Sequence, residues 1–383
     1  MAAMEKNNNN LNVPNLRFPE FDGEWEKCSL GEIGHTSIGL TYSPADVVKE
    51  DGIIVLRSSN IQDGEIDYKD LVRVNKKIKD SLFTKKDDIL ICARNGSPRL
   101  IGKNALISDV DAGHSYGAFM MVYRSEENPF VRQLLCTKRY FAQVGENLGA
   151  RINQITTSDM NSFEFFFPQS KEERNKIALF LRIIDERIST QKKIIEKYES
   201  LIRGLYHSVF NQPASTLQLK DVVSVVKGQQ VNGEELLEYG KYYVMNGGTE
   251  PSGYLDVCNT PANTISISEG GNSCGYVQYN TEPFWSGGHC YSLIQKEQSV
   301  NYQYLYHFLK YKERNIMALR IGSGLPNVQK KDLERFEIRV LPTKQQNRVA
   351  EILEDVSAKC DLEKRILQGW QCQKSYLLHN LFI

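Results

Sequence analysis

The chain of 383 residues is long enough for two domains, and its content of 41% hydrophobic and 25% charged residues is typical of a globular protein. Its 47 basic and 47 acidic residues give a formal net charge of zero. This balance excludes a wholly cationic protein that binds nucleic acid by charge alone. The sequence shows no secretory leader, no membrane-length apolar run and no Cys-x-x-Cys pair, so we expect a cytoplasmic protein without a metal site.

Five segments follow one another along the chain, beginning with a polar lead-in in which Asn7 to Asn10 are expected to be disordered. We interpret the segments as the lead-in (1–20), a mixed domain 1 (21–167), a central helix (168–211), a mixed domain 2 (212–341) and a C-terminal helix (342–383).

Both mixed domains show short β-prone runs that are separated by Gly, Pro, Asn and Asp turns. The predicted strands include Gly52–Leu56, Asp88–Cys92, Phe119–Tyr123, Thr264–Ile267 and Glu337–Leu341. Short helices are predicted at Pro129–Gln143 and Tyr302–Met317. The pattern therefore predicts α/β or α+β domains.

The central and C-terminal helices are copies of one another. Asn175–Phe210 aligns without a gap to Asn347–Phe382 at a constant offset of 172. Ser170 with Glu173, and Thr343 with Gln346, form the pattern of a capping box at each helix start. A repeat of this length indicates one unit built twice.

Each helix carries apolar residues at alternating spacings of four and three for about five heptads, as in a coiled coil. Gln191 and Glu363 interrupt the two seams at the same place. Antiparallel pairing lets the C-terminal helix begin where the central helix ends, and 36 helical residues span roughly 54 Å. We therefore predict an α+β protein in which two similar mixed domains are joined by two long antiparallel helices with pseudo-two-fold symmetry.

The two mixed domains also align loosely with each other. Residues 89–103 parallel 265–276, and Gly149 to Phe167 parallel Gly322 to Val340. Gly113-His114-Ser115 is aligned with Gly288-His289-Cys290. The domains are therefore predicted to be diverged copies.

Enzyme motifs are weak. The segment from Gly96 to Lys103 has one residue too many for a phosphate loop, so a strand–turn–strand hairpin is the better interpretation. Asn128-Pro129-Phe130 faintly resembles the Asn-Pro-Pro-Tyr motif of adenine methyltransferases, but an Asn-Pro helix start explains it better. The residues nominate no catalytic group.

The remaining candidates are polar loop residues whose side chains can meet base edges or phosphates. In domain 1 the predicted DNA-binding residues are Arg57, Ser58, Ser59, Asn60, Arg94, Asn95, Ser97, Arg99 and Arg151. In domain 2 they are Asn246, Thr249, Glu269, Asn272, Ser273, Ser286, His289 and Ser323.

Taken in order, these features resemble the specificity subunit of type I restriction–modification enzymes. The resemblance lies in Val13–Phe21, Leu56–Asp67, Asp88–Lys103, Pro168–Leu181 and, in the second copy, Pro342–Leu353. It implies two target-recognition domains, each of which reads one half of a split double-stranded DNA sequence. The paired helices would then set the unread spacer between the halves.

The resemblance further implies that this chain has no active site and no cofactor of its own. Two modification subunits would dock on the helices, bind S-adenosylmethionine and methylate adenine. Restriction subunits that use ATP and Mg would cleave unmodified DNA. A stand-alone methyltransferase or nuclease, and a coiled-coil scaffold without a DNA role, remain the alternatives. Lys374 and Gly369 in the second helix depart from the first copy and predict a helix that is less stable alone.

Overall fold

The computed structural model describes residues 12–150, 153–296, 300–322, 324 and 326–383. Asn7 to Asn10 therefore lie outside the described residues. The chain divides into two compact units. Unit 1 is Met1–Thr190 with Leu367–Ile383, and unit 2 is Gln191–Ile366.

Domain 1 mixes short strands with short helices. Its strands are β1 Glu26–Ser29, β2 His35–Ile38, β3 Val47–Val48, β4 Ile53–Leu56, β5 Ile61–Gln62, β6 Glu65–Ile66, β7 Val72–Val74, β8 Ile89–Cys92, β9 Asn104–Leu106, β10 Ser115–Tyr116, β11 Met120–Arg124 and β12 Glu164–Phe167. Its helices are α1 Leu30–Ile33, α2 Asn128–Leu134, α3 Lys138–Ala150 and α4 Thr157–Ser162, and the central helix is α5 Lys171–Phe210.

The main sheet of domain 1 has the strand order β2-β11-β8-β9 and is antiparallel throughout. A second sheet has the order β10-β4-β7-β3, in which β10 runs parallel to β4. The outer strands β1 and β12 pair with each other. The β8–β9 hairpin confirms the interpretation of the glycine-bearing segment between them as a turn rather than a phosphate loop.

Domain 2 is built from the same kinds of element. Its strands are β13 Ser215–Gln218, β14 Val223–Lys227, β15 Tyr242–Met245, β16 Tyr254–Leu255, β17 Thr264–Ser268, β18 Val277–Asn280, β19 Trp285–Ser286, β20 Cys290–Gln295 and β21 Glu337–Val340. Its helices are α6 Leu219–Val222, α7 Tyr302–Tyr311, α8 Glu313–Met317 and α9 Lys330–Glu334, and the C-terminal helix is α10 Thr343–Asn380.

The strand topology of domain 2 repeats that of domain 1. Its main sheet has the order β14-β20-β17-β18, which matches β2-β11-β8-β9 strand for strand. The parallel pair β15 and β19 matches β4 and β10, and the outer pair β13 and β21 matches β1 and β12. The second sheet has four strands in domain 1 and three in domain 2. The shared main sheet, parallel pair and outer pair confirm the prediction that the domains are diverged copies.

The predicted short elements lie close to the observed ones. Each of the five predicted strands overlaps an observed strand to within one residue at either end. The helix predicted at Pro129–Gln143 is two helices, α2 and α3, and the helix predicted at Tyr302–Met317 is likewise divided into α7 and α8. In the part of the chain that the structure describes, no helix is long and apolar enough to cross a membrane.

Each long helix ends in an aromatic core. In unit 1 the ring of Phe382 lies 5.6 Å from Phe130 and 6.4 Å from Trp25. In unit 2 the ring of Phe210 lies 5.5 Å from Tyr304 and 5.4 Å from Phe308. Phe210 and Phe382 are equivalent residues of the repeat, so the end of α5 is packed with domain 2 and the end of α10 with domain 1.

The predicted heptad seam is buried or half-buried along the length of both helices. In unit 1 the start of α5 and the end of α10 share one core, which includes Ile177, Leu181, Leu377 and Leu381. In unit 2 the end of α5 shares a core with the start of α10, which includes Leu353. The helices are therefore antiparallel within each unit, as the sequence predicts.

The polar interruptions of the two seams meet each other. The Gln191 side-chain amide donates to the Glu363 carboxylate, and also to the Glu363 main-chain oxygen at 3.2 Å. Lys374 lies in the seam of α10 with 18% of its side chain exposed, and it forms an ion pair with Asp185 of α5. The helix α10 continues through Gly369 without a break.

The two helix starts differ. Glu173 N donates to Ser170 Oγ at 3.1 Å, which is one half of the predicted box, but the buried Glu173 carboxylate accepts from Arg17 of the lead-in. This partner raises the pKa of Arg17. At the second helix, Gln346 donates to Leu341 O and accepts from Asn301 N instead of closing a box.

Candidate nucleic-acid interface

Three polar loops of domain 1 are joined at one end of the main sheet. They follow β4, follow β8 and precede α4. Asn95 Nδ2 donates to Ser58 Oγ at 2.9 Å, which ties the first two loops together. Arg94 Nε donates to Gln154 Oε1 at 2.8 Å, which ties the second to the third. We call these three loops cluster 1. All the predicted DNA-binding residues of domain 1 belong to them in sequence.

The predicted residues of cluster 1 fall into exposed and buried groups. Arg94, Arg99 and Ser59 are exposed. Arg57 is half-buried and forms an ion pair of 2.7 Å with the exposed Asp70. Ser58, Asn95 and Ser97 are also half-buried. Arg151 lies outside the described residues.

Asn60 does not lie free at the surface. Its side chain is fully buried, its Oδ1 atom accepts from Arg57 N at 2.9 Å, and its Nδ2 atom donates to Asp67 O and Asp70 O. These bonds use the whole amide. In this conformation Asn60 holds the loop after β4, and its contact with bases stays a prediction.

Phe119 is a member of cluster 1 that the sequence interpretation missed. Its side chain is 58% exposed at the start of β11, and the Arg94 guanidinium lies 5.6 Å from its ring centre. Sequence reasoning favoured hydrogen-bonding residues, so an aromatic residue within a predicted strand gave no signal.

Polar loops of domain 2 are joined at the corresponding end of its main sheet. His289 N donates to Asn246 Oδ1 at 3.1 Å, and Ser268 Oγ donates to Gly247 O at 2.7 Å. Glu269 N donates to His289 O at 2.8 Å. We call the loops that follow β14, β15, β17 and β19 cluster 2.

The predicted residues of cluster 2 also divide by exposure. Thr249, Asn272 and His289 are exposed, and Asn246 and Ser273 are half-buried. Ser286 is 2% exposed in this conformation and its main chain is held by Asn259, and the contact of its side chain with DNA stays a prediction. Ser323 lies outside the described residues.

Glu269 is a buried carboxylate at the centre of cluster 2. Its Oε1 atom accepts from Lys227 Nζ at 2.7 Å and from Tyr291 OH at 3.0 Å. The Nδ1 atom of His289 lies 4.0 Å from its Oε2 atom. Burial, and then the bond to Glu269, raise the pKa of Tyr291, which therefore stays a donor. With 10% of its side chain exposed, Glu269 is buried beside His289 in this conformation, and its contact with a base stays a prediction.

Lys227 was also missed by the sequence interpretation. It is the last residue of β14, and 53% of its side chain is exposed. It lies in the segment Lys227-Gly228-Gln229-Gln230, in which Gln229 N donates to Ser286 O. A basic residue with two glutamines beside a glycine was the available signal.

Main-chain hydrogen bonds fix which residues of the two clusters are equivalent. Ala93 N donates to Phe119 O as Glu269 N donates to His289 O, at 2.9 and 2.8 Å. His289 therefore corresponds to Phe119. The predicted equivalence of His289 with His114 is wrong, because loop sequences of unequal length were aligned on a shared Gly-His pair.

The domain alignments made on longer segments are confirmed. Arg94 forms an isolated β-bridge with Gln154, and the equivalent Gly270 forms one with Asn327. Both equivalences match the predicted alignments of residues 89–103 with 265–276 and of Gly149–Phe167 with Gly322–Val340. Strand β8 occupies the place of β17 in the same way.

The methyltransferase-like Asn128 is a structural residue. It is 1% exposed, begins helix α2 and donates from Nδ2 to Asp87 O at 2.7 Å and to Tyr123 O at 2.9 Å. The buried side chain is therefore not accessible to a substrate base in this conformation. Within the described ranges, no cluster of three or more His, Cys, Asp or Glu side chains could hold a metal ion.

The fold and the two clusters define a duplicated protein in which each copy carries one mixed domain, one set of joined polar loops and one long helix. The chain belongs to the family of type I restriction modification DNA specificity domains, whose model matches residues 22–200 and again residues 212–369. The two matches coincide with the two copies.

Curated relatives carry related descriptions. The specificity subunit of the type I restriction enzyme EcoKI from Escherichia coli K12 is 22% identical over 86% of this chain and 81% of its own length. Proteins of Mycoplasma genitalium and Mycoplasma pneumoniae, provisionally described as type I specificity subunits, are 25% and 28% identical over 61% and 43% of this chain. The matches span 65% and 44% of the length of these two relatives.

A solved structure has the same fold. The crystal structure of the S subunit of a type I restriction–modification system from M. genitalium matches with a TM-score of 0.75 and 20% identity, over 97% of this chain and 99% of that one. The family match, not this likeness, carries the connection to DNA specificity.

Proposed function

We propose that this chain is the DNA-recognition subunit of a type I restriction–modification complex and that each domain reads one half of a bipartite target. The observation that carries this proposal is the presence of two equivalent loop clusters, each assembled from exposed and half-buried polar side chains within one specificity domain. Arg94, Arg99, Asn272 and Lys227 supply the kinds of group that contact bases and phosphates.

The long helices fit the role of spacer and docking platform. Their buried seams hold the helices antiparallel in each unit, and their outer faces carry exposed apolar residues, among them Leu179, Ile183, Leu362 and Tyr376. We propose that modification subunits dock on these faces. We further propose that S-adenosylmethionine, ATP and Mg are bound by the partner subunits. The buried Asn128 gives no support to a methyl-transfer site on this chain.

The test is selection of DNA by the assembled complex. The full chain is purified with its modification subunits and incubated with duplexes that contain a randomised region, and the bound duplexes are sequenced. We expect a split sequence with an unread spacer. Arg94→Ala should weaken selection in one half of that sequence only, whereas Lys49→Ala, an exposed residue of domain 1 outside cluster 1, should leave it unchanged. Binding without any sequence preference would overturn the proposal.

A further inference from the structure

Phe119 of domain 1 and His289 of domain 2 are equivalent positions of the duplicated fold. The residues around these two positions differ in polarity. The bond from Ala93 N to Phe119 O repeats as the bond from Glu269 N to His289 O. Strand register likewise places Lys227 at the position of Ile38, because each pairs with the second residue of the central strand, Tyr291 or Met121.

In domain 1 this place is apolar and open. Phe119 is 58% exposed and Ile38 is 42% exposed, and Ala93 is the small residue behind them. The exposed ring adds little to the core. An apolar surface at the end of a sheet, flanked by the exposed Arg94, suits a ligand that offers both an apolar group and negative charge.

In domain 2 the same place is polar. Ile38, Ala93 and Phe119 are replaced by Lys227, Glu269 and His289. The Glu269 Oε2 atom is buried and has no hydrogen-bond partner among the described residues, and it faces His289 Nδ1. A carboxylate favours the tautomer in which the facing nitrogen, Nδ1, carries the proton, and in that tautomer Nε2 is an acceptor.

We propose that Phe119 and His289 are the specificity-determining residues of the two domains, an inference that rests on the proposed function. Phe119 with Ile38 selects a thymine through its methyl group in the half-site of domain 1. His289 selects a base with an exocyclic amino group in the half-site of domain 2. In the major groove that amino group is N4 of cytosine or N6 of adenine. Sequencing of the selected duplexes shows which of these two bases is read.

The first test uses thymine replaced by uracil, which lacks only the methyl group. In the complex with modification subunits, replacing the selected thymine should weaken binding of the unaltered chain by roughly fivefold or more. Phe119→Ala should bind the two DNAs alike. Val110→Ala removes another exposed apolar side chain of domain 1, 84% exposed, and should keep the full discrimination.

The second test is DNA selection by His289→Ala. Preference should be lost at one position of the domain 2 half-site and kept elsewhere, with cytosine or adenine at that position in the unaltered complex. Tyr239→Ala, at 80% exposure, is the matched control. Guanine or thymine at that position would overturn the assignment of Nε2 as an acceptor.

The outcomes separate the two proposals. If the unaltered complex selects no sequence, the proposed function fails. If it selects a sequence and both Phe119→Ala and His289→Ala select that same sequence with the same discrimination, only the inference about these two residues fails. Thermal unfolding of each variant shows whether a loss of binding reflects a loss of fold.

Discussion

Polar side chains in the two clusters serve two purposes, and burial separates them. Asn60 uses its whole amide to hold main-chain groups, whereas the neighbouring Ser59 is exposed. Glu269 is similarly buried behind the exposed His289. The loops therefore contain an inner layer of residues that fixes their shape and an outer layer that is available to a ligand.

Replacing Asn60 should damage the loop after β4. Asn60→Ala leaves Arg57 N and two main-chain oxygens without their partner, so we expect domain 1 to lose about 1–3 kcal/mol of unfolding free energy. Ser59→Ala should change it by less than about 0.5 kcal/mol. Urea unfolding measures both values. Equal stability of the two variants would contradict the structural role of Asn60.

His307 gives unit 2 a dependence on pH. It is 1% exposed, its Nδ1 atom shares a hydrogen bond of 3.0 Å with Tyr206 OH, and burial lowers its pKa from 6.5 to about 4. Between pH 4 and pH 6.5 the unfolded state therefore binds this proton more tightly than the folded state does. The free energy of unfolding therefore keeps its full value well above pH 6.5. It decreases as the pH falls towards 4, by about 3 kcal/mol at most.

The measurement is urea unfolding of unit 2 in the full chain at pH 7 and at pH 4.5. Unfolding of unit 2 is followed by the fluorescence of a tyrosine or tryptophan residue that lies in this unit. His307→Gln cannot titrate, so it should lose less stability than the unaltered chain over the same interval. An identical loss in both proteins would assign the pH dependence to other groups.

Sequence alone could identify the polar loops because Gly, Asn and Ser turns follow predicted strands. It could not separate the inner layer from the outer layer, since Asn60 and Asn272 are the same residue type in similar turns. Burial is decided by main-chain atoms from distant segments, such as Asp70 O beside Asn60. The exposed Phe119 was missed for the converse reason, because an aromatic residue within a β-prone run predicts burial.

At the scale of the elements, the long helices were the most predictable feature because a seven-residue repeat specifies both the helix and its buried face. Partner choice was less visible. Lys374 predicts that α10 is less stable alone, and the structure pairs this residue with Asp185 of α5. A charge in a seam costs desolvation energy even when it is paired, and it destabilises the helix most when it lacks a partner.

The Gln191–Glu363 contact should behave as a coupled pair. Gln191→Leu removes the donor from the half-buried Glu363 carboxylate, so we expect a loss of about 1–2 kcal/mol of unfolding free energy. Replacing both residues by leucine should recover that loss, because an apolar pair fills the seam without an unpaired polar group.

A double-mutant cycle in urea measures the coupling, and we expect at least about 0.5 kcal/mol. The exposed pair Glu196→Ala and Lys359→Ala serves as a control for substitutions on the outer faces of the same helices. Additive effects of Gln191→Leu and Glu363→Leu would mean that the contact does not form.

At the scale of the whole molecule, duplication lets two copies of one domain diverge at their loops while the main-chain hydrogen bonds of the clusters stay the same. The helices remain recognisably repeated in sequence, whereas the domains align only loosely. This difference is expected if the helices meet a constant set of neighbours and the loops meet different ligands. The order of domains and helices along the chain could therefore be predicted from the repeat. The correspondence of single loop residues could be assigned only from the strand register of the structure.

Because each cluster is assembled within its own domain, substitutions in different domains should act independently on DNA binding. We expect the losses of binding free energy caused by Arg94→Ala and His289→Ala to add within about 0.5 kcal/mol. Ser58→Ala and Asn95→Ala, whose side chains share a hydrogen bond of 2.9 Å, should instead be coupled. Titration of one specific duplex at a fixed salt concentration measures all six variants, including the two doubles. Strong coupling between Arg94 and His289 would mean that the domains do not read DNA as separate units.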